Sequence, residues 1–230
     1  MNAATWVLIP VKPLATAKTR LAEVLAPAER RALVLAMVDD VLDALVEVSG
    51  LAGVALVGGD AELARHLAGR QLRLLAEPDP GLNAALRAAS AELAAAGAGR
   101  LLILPADIPA LDRAAVEALL AIDGEPAVAL VAASADGGTN ALLLSPPGLL
   151  DPAFGPGSCA RYRQAAAVLG VAPRLLDLPQ VALDIDRPAD LLTLESLAGA
   201  PRTRALLRRF DVRARLYPET DGQPLARQAQ

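Results

Sequence analysis

The chain has 230 residues, a length compatible with one α/β domain, and 54% of them are apolar while only 2% are aromatic, so Leu, Ile, Val and Ala must fill the core. A formal net charge of −4 and a pI near 5.1 argue against a nucleic-acid binder, which usually carries a basic surface. The single cysteine, Cys159, excludes an internal disulfide, and the absence of a signal-like leader or an uninterrupted apolar span points to a soluble cytoplasmic protein, with no membrane partner.

In chain order, residues 5–11 (TWVLIPV) form a short apolar run and predict a buried strand. Residues 12–27 predict a loop. A helix follows over 28–48: Leu33, Val34, Met37, Val38, Val41, Leu42, Leu45 and Val46 recur at three and four, and Asp39, Asp40, Asp43 and Glu47 are assigned to its opposite, polar face. Strands are predicted at 54–57 and 72–76, separated by a short helix over 60–68. A turn at Asp79-Pro80-Gly81 leads into an Ala-rich helix over 82–96. The run 101–104 predicts a strand and 113–121 a helix. Strands at 128–132 and 141–144 flank a Gly-rich turn. A helix over 158–169, a last strand at 183–185 and a last helix at 188–197 complete a domain over 1–200, with a helix and a frayed tail over 201–230. Strands alternating with helices imply a mainly parallel sheet covered on both faces, with ligands outside the carboxyl ends of the strands.

The segments after the strands therefore carry the search for chemistry. Lys12, Lys18 and Arg20 follow the first strand with no acid until Glu23. That cluster suits a polyphosphate, Lys as a point charge and Arg as a planar fork, and it equally fits an ordinary solvated basic loop. Neither a P-loop nor GxGxxG is present. Asp107 directly follows the run LLIL between Pro105 and Pro109. Alternation in the expected strand places Asp184 and Asp186 on one side. Such hard oxygen ligands suit Mg²⁺ beside substrate phosphates, while Asp186 also reads as a helix N-cap and Asp190 as a first-turn helix charge. Two Gly-rich turns, 136–140 and 154–158, offer backbone N–H groups; the second opens a helix and so favours an anion, and both also read as plain turns. His66 reads as an exposed residue on a polar helix, and with one His and one Cys neither a nucleophile pair nor a zinc site is expected.

The ordered set LIPVKPLATAKTRLA, AMVDDVL, DPGLNAAL, LPADIPAL, GGTNALLL, FGPGSCARY and LDIDRPADL resembles the guanylyltransferases of deazaflavin-coenzyme (coenzyme F-420) biosynthesis, over about residues 6–197. That family is variously called 2-phospho-L-lactate, phosphoenolpyruvate or 3-phospho-D-glycerate guanylyltransferase. The resemblance implies a Rossmann-like three-layer sandwich of the glycosyltransferase-A nucleotidyltransferase type, with a mixed, mainly parallel sheet. It implies transfer of GMP from GTP to a phosphorylated three-carbon acid, phosphoenolpyruvate foremost, with release of pyrophosphate. By the same resemblance Lys12 meets the acceptor phosphate, and Lys18 and Arg20 steady the triphosphate. The segment 77–83, with Glu77, Gly81 and Asn83, recognises guanine. Asp107 and Asp186 hold Mg²⁺, and Thr139, Gly155 and Ser158 bind the acceptor carboxylate. A homodimer and hand-over of product to a downstream deazaflavin transferase are the partner expectations. One departure is visible: the motif FGPGS-x-A-R is often followed by His, and Tyr162 stands there. Two rivals share parts of this pattern: another nucleotidyltransferase of the same fold, of molybdenum-cofactor or sugar-phosphate type, and a non-catalytic nucleotide-binding module.

Overall fold

The computed structural model describes residues 4–77 and 81–217; the predicted frayed tail and the first two residues of the Asp79-Pro80-Gly81 turn lie outside them. The strands are β1 (Thr5–Val11), β2 (Leu51–Gly58), β3 (Arg73–Leu75), β4 (Arg100–Ile103), β5 (Ala127–Ala132), β6 (Thr139–Ser145) and β7 (Arg174–Leu175). The helices are α1 (Pro27–Val46), α2 (Ala61–His66), α3 (Leu82–Ala95), α4 (Arg113–Leu120), α5 (Ser158–Val168), α6 (Pro179–Ala182), α7 (Pro188–Leu194), α8 (Pro201–Arg209) and α9 (Val212–Leu216). Among the described residues none of these helices is long and apolar enough to cross a membrane.

The strands form one sheet in the order β3-β2-β1-β4-β6-β5-β7. Within it β6 runs antiparallel to β4 and β5, and the other pairings are parallel. The sheet is buried on both faces, which is why its strands read as continuous apolar runs. In β1, Val7, Ile9 and Val11 join one core and Leu8 the other; in β4, Leu102 joins the first and Leu101 and Ile103 the second. The apolar stripe of α1 covers the first face, while α3 and α5 cover the second with Leu86, Leu93, Tyr162 and Ala166. Because β6 is reversed, its start at Thr139 lies at the edge where β1, β4 and β5 end. That reversal brings the Gly-rich hairpin to the ligand edge.

Two expectations are corrected. Residues 183–185 form no strand: Ile185 N–H donates to the Asp107 carbonyl at 2.9 Å, and the segment is otherwise irregular. A single backbone tie makes no ladder, so alternation does not orient Asp184 and Asp186. The last strand is instead β7, beside β5, whose two exposed residues carry no apolar signal. The polar face of α1 is also only partly exposed: Glu47 is exposed and Asp43 half-buried. Asp39 and Asp40 are buried. Asp39 pairs with Arg70 at 2.7 Å, and the ring of His66, exposed as its sequence setting suggested, lies within hydrogen-bond distance of Asp39 at 2.9 Å.

Asp40 accepts from the N–H groups of Arg202 (3.0 Å) and Thr203 (2.8 Å), capping α8 from another helix. Burial pushes its carboxyl up, against the bonds from Thr203 and Arg202. Asp40→Ala is expected to lower the unfolding free energy by about 1–2 kcal/mol, the value of a lost N-cap. A shifted denaturant midpoint at unchanged slope checks this; an unmoved midpoint would refute it.

Candidate active site

A cleft of about 580 Å³ opens at the carboxyl edge of the sheet. Local chemistry aims its walls. Gly58 ends β2 with φ 85°, and a Cβ there would stand 2.5 Å from the Val11 carbonyl, so β1 and β2 close together at the edge only because this residue lacks a side chain. The basic loop then turns over α2: Asp60 caps that helix through Glu62 and Leu63 N–H at 3.0 Å and also accepts from Leu14 N–H at 2.8 Å. Lys18 adopts a left-handed backbone, φ 55° and ψ 38°, before a single 3-10 turn at Thr19–Leu21.

That loop delivers Lys18 to a pair of carboxylates. Its Nζ lies 2.5 Å from Asp107 Oδ2 and 3.0 Å from Asp186 Oδ1, with the side chain only 7% exposed. Arg20 reaches the other oxygen of Asp186 at 2.7 Å. Burial lowers the Lys18 pKa, but the charges of Asp107 and Asp186 outweigh it and hold the ammonium above its ordinary value. Burial likewise raises Asp186, and Lys18, Arg20 and the more distant Lys12 overcome it, keeping this carboxyl below the usual range. Asp184 also lines the cleft and is pushed up by burial and by the charge of Asp107, against a hydrogen bond from Asn140.

Asn140 explains how residues 181–186 reach the site without a strand. Its buried amide donates to the carbonyls of Val181 and Ala182, both at 3.0 Å, and to Asp184 Oδ1 at 3.1 Å. Sequence reasoning passed over Asn140, although a lone amide at the head of the apolar run ALLL was the available signal.

Of the residues singled out from sequence, Lys12, Lys18, Arg20, Glu77, Gly81, Asp107, Thr139, Gly155 and Asp186 line this one cleft. Two do not. Ser158 is fully buried behind Thr139, hydroxyl to hydroxyl at 2.8 Å. Asn83 spends its amide on the Phe154 peptide, accepting from its N–H at 2.8 Å and donating to its carbonyl at 3.2 Å. The start of α5 is not an open anion site either. The N–H groups of Gly157, Ser158 and Cys159 already donate to the carbonyls of Asp136, Gly155 and Gly137. Tyr162 sits beneath the loop: its buried hydroxyl accepts from Ala153 N–H at 2.7 Å, and burial pushes its pKa up to about 12 despite that bond.

Two carboxylates converge on one ammonium, a position suited to a cation, and Lys12 and Arg20 line the same cleft with positive charge of the kind that pairs with phosphates. Among the described residues no group of three or more His, Cys, Asp or Glu forms a metal cluster, so any bound cation would need ligands from substrate or water.

Comparison with known proteins identifies the family and the fold. A family model described as "Guanylyl transferase CofC like" matches residues 5–223. A phosphoenolpyruvate guanylyltransferase of Sphaerobacter thermophilus is 44% identical over 195 residues, 85% of this chain and 93% of the relative. A 3-phospho-D-glycerate guanylyltransferase of Phenylobacterium zucineum is 38% identical over 195 residues, 83% of this chain and 89% of the relative. A solved nucleotidyl transferase from Methanothermobacter thermautotroptrophicus shares the fold, with a TM-score of 0.60 at 18% identity, covering 91% of this chain and 100% of that one.

Proposed function

Because the chain belongs to the CofC-like guanylyl transferase family, we propose that it transfers GMP from GTP to the phosphate of a three-carbon phospho-acid, phosphoenolpyruvate before 3-phospho-D-glycerate or 2-phospho-L-lactate. An oxygen of the acceptor phosphate attacks the α-phosphorus of GTP. The bond from that phosphorus to the bridging oxygen breaks, and pyrophosphate leaves with the electron pair. The attacking phosphate is already ionised, so the reaction asks for positioning and charge neutralisation rather than a general base. The observation that carries the reading is Lys18 held between Asp107 and Asp186, with Arg20 beside it.

The residues divide the work by position. Arg20 and Lys18 hold the triphosphate, and Lys12 the acceptor phosphate. Glu77 and Gly81 receive the guanine, a carboxylate accepting from both N1–H and the 2-amino group. Thr139 and Gly155 face the acceptor carboxylate, with Ser158 fixing the Thr139 hydroxyl from behind. Mg²⁺ fits the Asp107 and Asp186 oxygens, because Lys18 Nζ marks a cation-sized position between them and phosphate oxygens can complete the shell. Bound there, the ion would neutralise charge on the transferring phosphoryl group. Lys18 then has phosphate rather than carboxylate as its partner.

The test is pyrophosphate release with GTP and each of the three acids, with a deazaflavin acceptor and its downstream transferase present to trap the product. Release with at least one acid, and a preference for GTP over ATP of about 100-fold or more, are expected from paired hydrogen bonds to the base. No release with any acid, or equal use of ATP, overturns the reading. Thr139→Val should raise the acceptor KM about tenfold, the loss of one hydrogen bond to a charged group, and leave the GTP KM within about twofold. If both constants rose together, Thr139 would not face the acceptor.

A further inference from the structure

The cleft has two walls from distant parts of the chain. Gly81 and Leu82 at the start of α3 form one, and Phe154 and Gly155 of the loop before α5 form another. Asn83 ties them. Its side-chain amide closes a two-point ring with the Phe154 peptide, 71 residues away, using one donor and one acceptor. The loop is otherwise braced from below. Tyr162 takes the Ala153 N–H, Arg161 donates to the Ala153 and Pro156 carbonyls at 2.8 and 2.7 Å, and the Phe154 ring meets Tyr162 edge-on at 5.5 Å. Gly155, at φ 129°, holds a backbone shape that other residues rarely adopt. These braces come from the loop's own helix; outside it, the Asp136 carbonyl takes the Gly157 N–H and the exposed Arg87 of α3 reaches Asp151 at 3.4 Å, neither of them touching Phe154. Asn83 differs from them in joining the Phe154 backbone to the helix start next to Gly81.

We propose that Asn83 is a positioning residue that couples the two substrates: nucleotide binding at the start of α3 sets the Phe154 peptide, and with it the wall that receives the acid. The proposal rests on the assignment of the Gly81 side to guanine and the Gly155 side to the acceptor. A side chain whose donor and acceptor are committed to the C=O and N–H of one residue moves with that residue's backbone. Ordering of the first turn of α3 around a base is therefore felt at Phe154 without any contact between Asn83 and the nucleotide. A nucleotide that holds one wall thereby holds the other before the acid arrives, which gives positive cooperativity.

The experiment uses the full chain and a non-hydrolysable GTP analogue. Hydrogen exchange is followed in a peptide spanning 150–160, and analogue affinity is measured by calorimetry. In the parent protein the analogue alone should slow exchange at the Phe154 amide about fivefold or more, the scale of a typical coupling between sites. In Asn83→Ala that slowing should vanish, while the analogue's Kd changes by less than about twofold. Asn83→Asp keeps the acceptor for Phe154 N–H, loses the donor, and should show a reduced but measurable effect; it also serves if the alanine variant folds poorly. Slowing that persists in Asn83→Ala overturns the coupling. So does a large loss of analogue affinity with the slowing retained, which would make Asn83 a nucleotide ligand. Analogue binding by the parent with no response at 150–160 sinks the coupling alone. No analogue binding at all sinks the guanylyltransferase reading with it.

Discussion

Asp107→Asn should lower kcat/KM by about a thousandfold or more while moving the thermal midpoint by no more than about 4 °C. The substitution is nearly isosteric and removes only the charge that faces Lys18 at 2.5 Å. A metal-assisted phosphoryl site relies on carboxylates for several kcal/mol of charge stabilisation, and about 4 kcal/mol corresponds to a thousandfold in rate. The side chain is 26% exposed and its backbone carbonyl, which holds Ile185 N–H, is untouched, so the fold should barely register the change. Asp186→Asn should behave alike in rate, since Asp186 receives both Lys18 and Arg20. Raising Mg²⁺ should recover part of the lost rate by mass action. Near-parental kcat/KM in either variant would remove that residue from the proposed site.

Lys18→Met should give the second large effect, and it separates stability from catalysis. Without Mg²⁺ the substitution leaves Asp107 and Asp186 facing one another across an apolar side chain. Breaking a buried pair costs about 3–5 kcal/mol. Both carboxylates reach solvent, at 26% and 39% exposure, so the lower end applies. At about 2–4 °C per kcal/mol for a chain of this size, the midpoint should fall by roughly 6–12 °C. Added Mg²⁺ should restore most of that fall, because a divalent cation takes over the charge Lys18 supplied, and the parent should gain much less. Turnover should stay depressed even at saturating Mg²⁺, because the triphosphate has lost a cation. An unchanged midpoint, or a fall that Mg²⁺ does not reverse, would show that the three groups do not share one cation position.

The local signals in the chain were enough for the architecture and for much of the cleft. Runs such as VLIPV and LLIL are continuous because both faces of their strands are buried, and that pattern depends only on neighbours along the chain. Lys12, Lys18, Arg20 and Asp107 were legible for the same reason: each follows a strand, and a mainly parallel sheet collects such segments at one edge. Strand β7 was not legible, since two exposed residues carry no periodicity, and 183–185 was misread because alternation without a partner strand makes no ladder.

Only the tertiary structure decided which polar groups face the cleft and which are committed elsewhere. Asn83 is held by Phe154, Ser158 by Thr139, and the first N–H groups of α5 by nearby carbonyls. Asp40, read as part of the polar face of α1, caps a helix 162 residues away. Asn140, unremarked in the sequence, carries the segment that bears Asp186. A side chain's type announces its hydrogen-bonding capacity, but its partner depends on which distant segments the sheet order brings beside it. Sequence therefore determined the chemistry available at the sheet edge. The reversed β6 strand and the paths of the long connections determined which of those groups remain free to meet a substrate.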